Sequence, residues 1–169
     1  MNFDLQTERL RLRPCRSTDE KSVHALWTNE KIRHFLFDER IISLAETNSF
    51  IETSLSNFEH HDYGLWLVYE RKSESLVGFA GLLDPGPCPT LIYGIHPDFE
   101  GRGYATEAAA CVLRYAVENL GLSEIKADVD EPNLASIRVL EKLNFKQVDR
   151  ALVKDRALLY LRLDLRERA

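Results

Sequence analysis

The chain has 169 residues, 44% of them apolar and 29% charged, with a formal charge of −5 at neutral pH. That length supports one buried core, and the negative balance argues against a generic nucleic-acid binder, which needs a basic surface to displace counterions from phosphates. Cys15, Cys88 and Cys111 stand far apart without CxxC spacing, so neither a disulfide framework nor a zinc site is expected, and no metal is assigned.

The opening MNFDLQTERLRLRP lacks a basic stretch followed by an apolar one, and no apolar run reaches membrane-spanning length. The expectation is a cytoplasmic chain with no membrane partner. Residues 7–14 alternate Leu10 and Leu12 against arginines, as a half-buried strand does. Capping residues at 17–20 and at Ser43 precede two helical segments, one carrying Val23, Leu26 and Trp27, the other Phe50, Ile51 and Phe58. Residues 63–70 and 75–83, joined by a polar turn at 71–74, read as a hairpin that ends in the proline-rich loop 85–89.

Residues 90–96 form a third apolar run, Gly101 and Gly103 punctuate a loop, and 104–120 repeats apolar residues at helical spacing until Gly121. A short strand at 124–129, a helix at 133–143 and two strands at 145–152 and 157–165 follow. The order is β-αα-βββ-α-β-α-ββ. No repeat or linker divides it, so residues 1–169 are expected to form a single domain of mixed α/β class.

In the segment HPDFEGRGYATEA, residues 96–108, the glycines lie between a strand and a long helix. Glycine removes the Cβ that blocks close approach, and the first helical turn presents unpaired N–H groups with partial positive charge, so an anion can bind there. A pyrophosphate fits; so does a plain turn. The segment is neither a Walker motif nor a full GxGxxG fingerprint.

About thirty residues later comes PNLASIRVLEKLNF, residues 132–145. Together the two strings resemble the GNAT superfamily of N-acetyltransferases, and within it the ribosomal-protein alanine and serine acetyltransferases, whose motifs read HPxxxGxGYATEA and NxxSxRVLEKLGF. The opening TERLRLRP is similar as well, so the resemblance covers nearly the whole chain. It implies a GNAT fold of the α/β (α+β) class: a central mixed, mostly antiparallel sheet of about seven strands, splayed in the middle and flanked by about four helices.

The resemblance also implies acetyl-CoA as cosubstrate. Backbone amides of Gly101, Arg102, Gly103, Tyr104, Ala105 and Thr106 would cradle its pyrophosphate, with Arg102 and the Thr106 hydroxyl beside it. Glu100 stands where the family often has Gln or Arg. The pantetheine arm would lie like an added strand along Gly94, Ile95 and His96, and the acetyl group near Tyr93 to Ile95. Asn133 and Ser136 match coenzyme-contacting positions, although Asn133 is equally a favoured helix N-cap.

Acetyl transfer needs an unprotonated amine, a stabilised oxyanion and a proton for the departing thiolate. A backbone N–H near Ile95 can meet the oxyanion, with direct attack and no acyl-enzyme. Many GNAT members place a tyrosine acid where this chain has Leu140, which makes Ser136 the nearest substitute. Asp128 and Asp130 lie opposite Ile125, Ala127 and Val129 on their strand and are candidate bases or plain surface carboxylates. Glu30, His34 and Glu39 fall in the segment that lines the family's acceptor site. Ser136, Asp128 and Tyr93 are the candidate catalytic residues.

The expected acceptor is an amine, either a protein or peptide N-terminus or a small molecule such as an aminoglycoside, a polyamine or an amino-acid analogue. A free α-amine, with a reference pKa near 8, demands less of the base than a lysine near 10.4. Leu140 keeps open a coenzyme A sensor without catalysis. A homodimer is allowed but nothing specifies it.

Overall fold

In the computed structural model, which describes residues 2–34 and 36–166, one sheet of eight strands carries five helices. Met1, Phe35 and residues 167–169, the ends of the expected single domain among them, lie outside the described residues. The strands are β1 (Leu5–Gln6), β2 (Leu10–Pro14), β3 (Leu65–Glu70), β4 (Leu76–Leu83), β5 (Thr90–Ile95), β6 (Glu124–Asp130), β7 (Lys146–Val153) and β8 (Arg156–Asp164). The helices are α1 (Glu20–Thr28), α2 (Glu30–Arg33), α3 (Leu44–His61), α4 (Tyr104–Glu118) and α5 (Leu134–Lys142).

Two elements exceed the sequence expectation of about seven strands and four helices. The Thr7 N–H donates to the Leu10 carbonyl at 2.8 Å and the Leu10 N–H to Thr7 Oγ1 at 2.9 Å, which closes a tight turn. The alternating stretch therefore starts at Leu10, and β1 folds back so that Leu5 faces Leu12. The extra helix, α2, is a single turn held by Asn29, whose Oδ1 accepts from Lys31 and Ile32 N–H.

Strand order is β1-β2-β3-β4-β5-β6-β8-β7, and every neighbouring pair is antiparallel except β5 and β6. That parallel pair meets at a single register point, Thr90 opposite Lys126, after which the strands diverge. Alternation along the strands then sorts side chains to two faces. Leu91, Tyr93 and Ile95 of β5 and Ile125, Ala127 and Val129 of β6 join the cluster built with α4 and α5. Ile92 and Phe79 join the other, with Val23, Leu26 and Trp27 of α1 and Ile51 of α3. The split therefore opens through the sheet between two separately packed layers.

Candidate active site

The exposed edge of β5 is set by two hydrogen bonds. The Lys126 N–H donates to the Pro89 carbonyl at 3.0 Å, toward β6, while the His96 N–H donates to Val77 at 2.7 Å, toward β4. Successive peptide groups of an extended strand point to opposite sides, so the N–H and C=O of Leu91, Tyr93 and Ile95 face the split, and those of Ile92 and Gly94 face β4. The backbone of Gly94 is thus spoken for, and its missing Cβ matters on the sheet face: a Cβ there would stand 2.6 Å from the Phe79 ring.

Beyond β5, Pro97–Phe99 forms one 3₁₀ turn in which His96 Nδ1 accepts from the Asp98 N–H at 3.1 Å. Gly101 and Gly103 follow at φ +78° and +79°. Around Gly101 a Cβ would meet nothing within 4 Å, so the left-handed backbone, and not crowding, requires glycine there. Gly103 is the N-cap of α4 and supplies no side-chain cap, leaving the first-turn amides through Thr106 free of intrahelical partners. Gly101, Arg102 and Gly103 are exposed; Ala105 and Thr106 are half-buried.

Side chains around this loop hold it from behind. The Tyr104 hydroxyl donates to Glu70 Oε2, the Arg102 guanidinium reaches the same oxygen at 3.3 Å, and Ser73 Oγ donates to Oε1 at 2.8 Å. The Tyr104 and Ser73 hydrogen bonds, with Arg102 adding, keep the Glu70 carboxyl below the usual carboxylate range. Arg9 pairs with Glu107 at 2.8 Å and lies over the Tyr104 ring at 4.7 Å. Neither Glu70 nor Arg9 was singled out from the sequence. Only the β2–β3 pairing and the docking of α4 bring them to the loop.

At the start of α5, Asn133 Oδ1 accepts from the Ser136 N–H at 3.2 Å, so Asn133 caps the helix. The Ser136 and Tyr93 hydroxyls lie 2.7 Å apart, and the Tyr93 hydroxyl also reaches the Ser136 carbonyl at 3.1 Å. Burial raises the Tyr93 phenol to about 12, against a smaller lowering by the Ser136 hydrogen bond. Leu140 is buried in the core.

Asp128 lies on the other face. Side chains two residues apart on a strand share a face, and Lys126 pairs with Thr90, so Asp128 shares the side of Ile92 and Gly94. The residue is exposed, yet partial burial raises its carboxyl above the ordinary range; Asp84 adds to the rise and Lys126 opposes it. Asp130 is committed to Arg156 at 2.7 Å. His34 Nδ1 and Glu39 Oε1 stand 3.0 Å apart on the surface, and Glu30 is exposed nearby. Ser136 and Tyr93 therefore meet on the α4–α5 side of the split, whereas Asp128 sits on the α1–α3 side.

A strand edge open along a split, a glycine loop feeding a helix without a side-chain cap and two hydroxyl groups beside them make up the site, and comparison with known proteins names its class. The family model described as an acetyltransferase (GNAT) domain matches residues 9–146, and the chain belongs to that family. The uncharacterized N-acetyltransferase YoaA of Bacillus subtilis is 29% identical, with 85% of this chain and 82% of that protein aligned. Acetyltransferase ECA0875 of Pectobacterium atrosepticum is also 29% identical, over 87% and 99% of the two chains. Among solved structures, an acetyltransferase from Agrobacterium tumefaciens superposes with a TM-score of 0.82 at 25% identity, covering 95% of this chain and 93% of that one. The fold is shared, at 13% identity and a TM-score of 0.83, with a ribosomal L7/L12 alpha-N-protein acetyltransferase solved in complex with coenzyme A, over 95% and 97% of the chains. The protein is an N-acetyltransferase of the GNAT family, whose members use acetyl-CoA. No described helix is long and apolar enough to cross a membrane, and no described cluster of His, Cys, Asp or Glu could hold a metal.

Proposed function

We propose that the chain transfers the acetyl group of acetyl-CoA directly to the primary amine of a peptide or protein N-terminus. The observation that carries this reading is the open β5 edge with the glycine loop beyond it: strand donors at Tyr93 and Ile95, then, past the internally bonded turn of residues 96–100, donors concentrated at a helix N-terminus. A pyrophosphate suits the Gly101–Thr106 amides, because the α4 dipole favours an anion and no capping side chain competes. An amide-bearing arm suits the edge of Tyr93 and Ile95, which offers N–H and C=O groups as a neighbouring strand would. Gly94 and His96 bound that seat without using their own amides for it.

When bound, acetyl-CoA supplies a thioester carbonyl and a thiol leaving group. The chain's residues do the rest. The Ile95 N–H points into the split and meets developing negative charge. Ser136 donates a proton to the departing thiolate on the α4–α5 side and recovers one from water, while Tyr93, kept neutral by its raised pKa, holds the Ser136 hydroxyl in place. Asp128, on the side where the amine arrives, accepts the proton from nitrogen, directly or through water. Its raised pKa brings it closer to that task than an ordinary aspartate.

The test is calorimetric titration of acetyl-CoA paired with thiol release against N-terminal peptides, polyamines and aminoglycosides. Micromolar binding with release by peptides supports the reading. Release by a polyamine or an aminoglycoside alone moves the acceptor to small molecules, and absence of binding overturns the whole of it.

A further inference from the structure

Among the described residues, two buried side-chain polar atoms have no hydrogen-bond partner, Trp27 Nε1 and Arg33 Nε, and both lie within seven positions of each other, at the end of α1 and on α2. An unsatisfied buried donor costs about 1–3 kcal/mol, and natural structures keep one for a reason. The Trp27 surroundings offer no internal remedy. Its indole, 4% exposed, packs against the rings of Phe37, Phe50 and Phe79 at 5.5, 5.6 and 5.9 Å, all of them apolar. Phe79 is the ring that lies against Gly94 of β5, so the indole stands one ring from the split, on the same face as Asp128.

The covering segment is held under strain. Phe37 and Glu39 adopt φ of +56° and +65°, a region costly for residues other than glycine. Arg33 Nη1 to the Glu39 carbonyl at 2.9 Å and Arg40 to Glu46 at 2.7 and 2.9 Å fasten it. Ile41, Leu44 and Phe50 leave an exposed apolar rim beside it.

Resting on the N-acetyltransferase reading of the split, we propose that Trp27 reads the acceptor by donating a hydrogen bond to its backbone carbonyl oxygen, which makes an α-amino amide the acceptor class. The chemistry of the orphan decides between acceptors. The indole is an N–H donor and requires an acceptor such as a carbonyl oxygen; a protonated polyamine presents ammonium donors. A polyhydroxylated sugar offers oxygens but matches poorly with the apolar rim. The start of a peptide combines an amine, a carbonyl two bonds away and an apolar side chain.

The two tryptophans of the chain make this measurable. In protein labelled with ¹⁵N at the indoles, Trp66 serves as control because its Nε1–H already donates to the Phe3 carbonyl at 2.8 Å. Leucinamide and 3-methylbutylamine share the amine and branched chain and differ in the carboxamide. Titrated with coenzyme A present, leucinamide shifts the Trp27 signal downfield to saturation, 3-methylbutylamine leaves it in place, and Trp66 stays still. Trp27→Phe, which keeps the ring packing, raises the KM for leucinamide about tenfold or more while the acetyl-CoA dissociation constant is unchanged. A Trp27 signal unmoved by leucinamide, or moved equally by both amines, overturns the proposal. Calorimetry with coenzyme A on the same sample separates the two levels: failure there removes the enzyme reading, while the indole signal still decides how the acceptor is read.

Discussion

The two sides of the split are built from different materials. Under the proposed function, the coenzyme seat consists of backbone: the β5 edge, two left-handed glycines and the start of α4. The proposed acceptor seat consists of side chains, Asp128 and Trp27, beside a strained segment that carries Phe37 and Glu39. Backbone seats depend on conformation and tolerate little but glycine, whereas side-chain seats can be rewritten residue by residue. A common donor with interchangeable acceptors is what such a division serves.

Substitutions should separate the sides, beginning with the largest effect. Gly103→Asp puts a carboxylate beside the first-turn amides of α4, and Asp tolerates the left-handed backbone better than most residues, so the fold survives. Acetyl-CoA affinity by calorimetry should fall more than about a hundredfold, the scale of losing charge-favouring contacts and adding repulsion. Asp128→Asn acts on the other side. It should leave acetyl-CoA affinity intact and lower kcat/KM by about a hundredfold, as loss of a general base does. The base works deprotonated and its pKa is raised, so once kcat/KM is divided by the fraction of neutral amine the wild type keeps an acid limb above the ordinary aspartate value of about 3.9, and the variant lacks it.

Smaller effects sharpen the hydroxyl pair. Ser136→Ala should lower kcat about tenfold at saturating substrates, because a thiol with a reference pKa near 8.5 leaves with modest help. Tyr93→Phe removes the 2.7 Å bond that positions Ser136 and should cost less, about three- to fivefold in kcat, with no further loss when combined with Ser136→Ala. Additive losses in the double variant would show the two hydroxyls acting separately.

The coenzyme side was also the more legible in the amino-acid sequence. Glycines before a long helix, and the string from Asn133 to Phe145, are local signals, and in the structure Asn133 caps α5 at the Ser136 N–H, one of its two readings. The alternation of β2 was visible, but the Thr7–Leu10 turn that shortens it was not, since its hydrogen bonds leave no periodic trace. The Tyr93–Ser136 contact joins residues 43 positions apart and depends on how α5 docks against β5. The same holds for Glu70 behind Arg102 and Tyr104. Nothing local announces that Trp27 Nε1 is buried without a partner, because a missing hydrogen bond exists only after packing.

The most direct test of the β5 edge is amide hydrogen exchange along that strand with and without coenzyme A. The N–H groups of Ile92 and Gly94, which face β4, should be protected in both conditions, while those of Tyr93 and Ile95, which face the split, should gain protection only when coenzyme A is bound. Uniform protection of all four before binding, or tight binding that leaves Tyr93 and Ile95 exchanging as fast as before, would contradict the account.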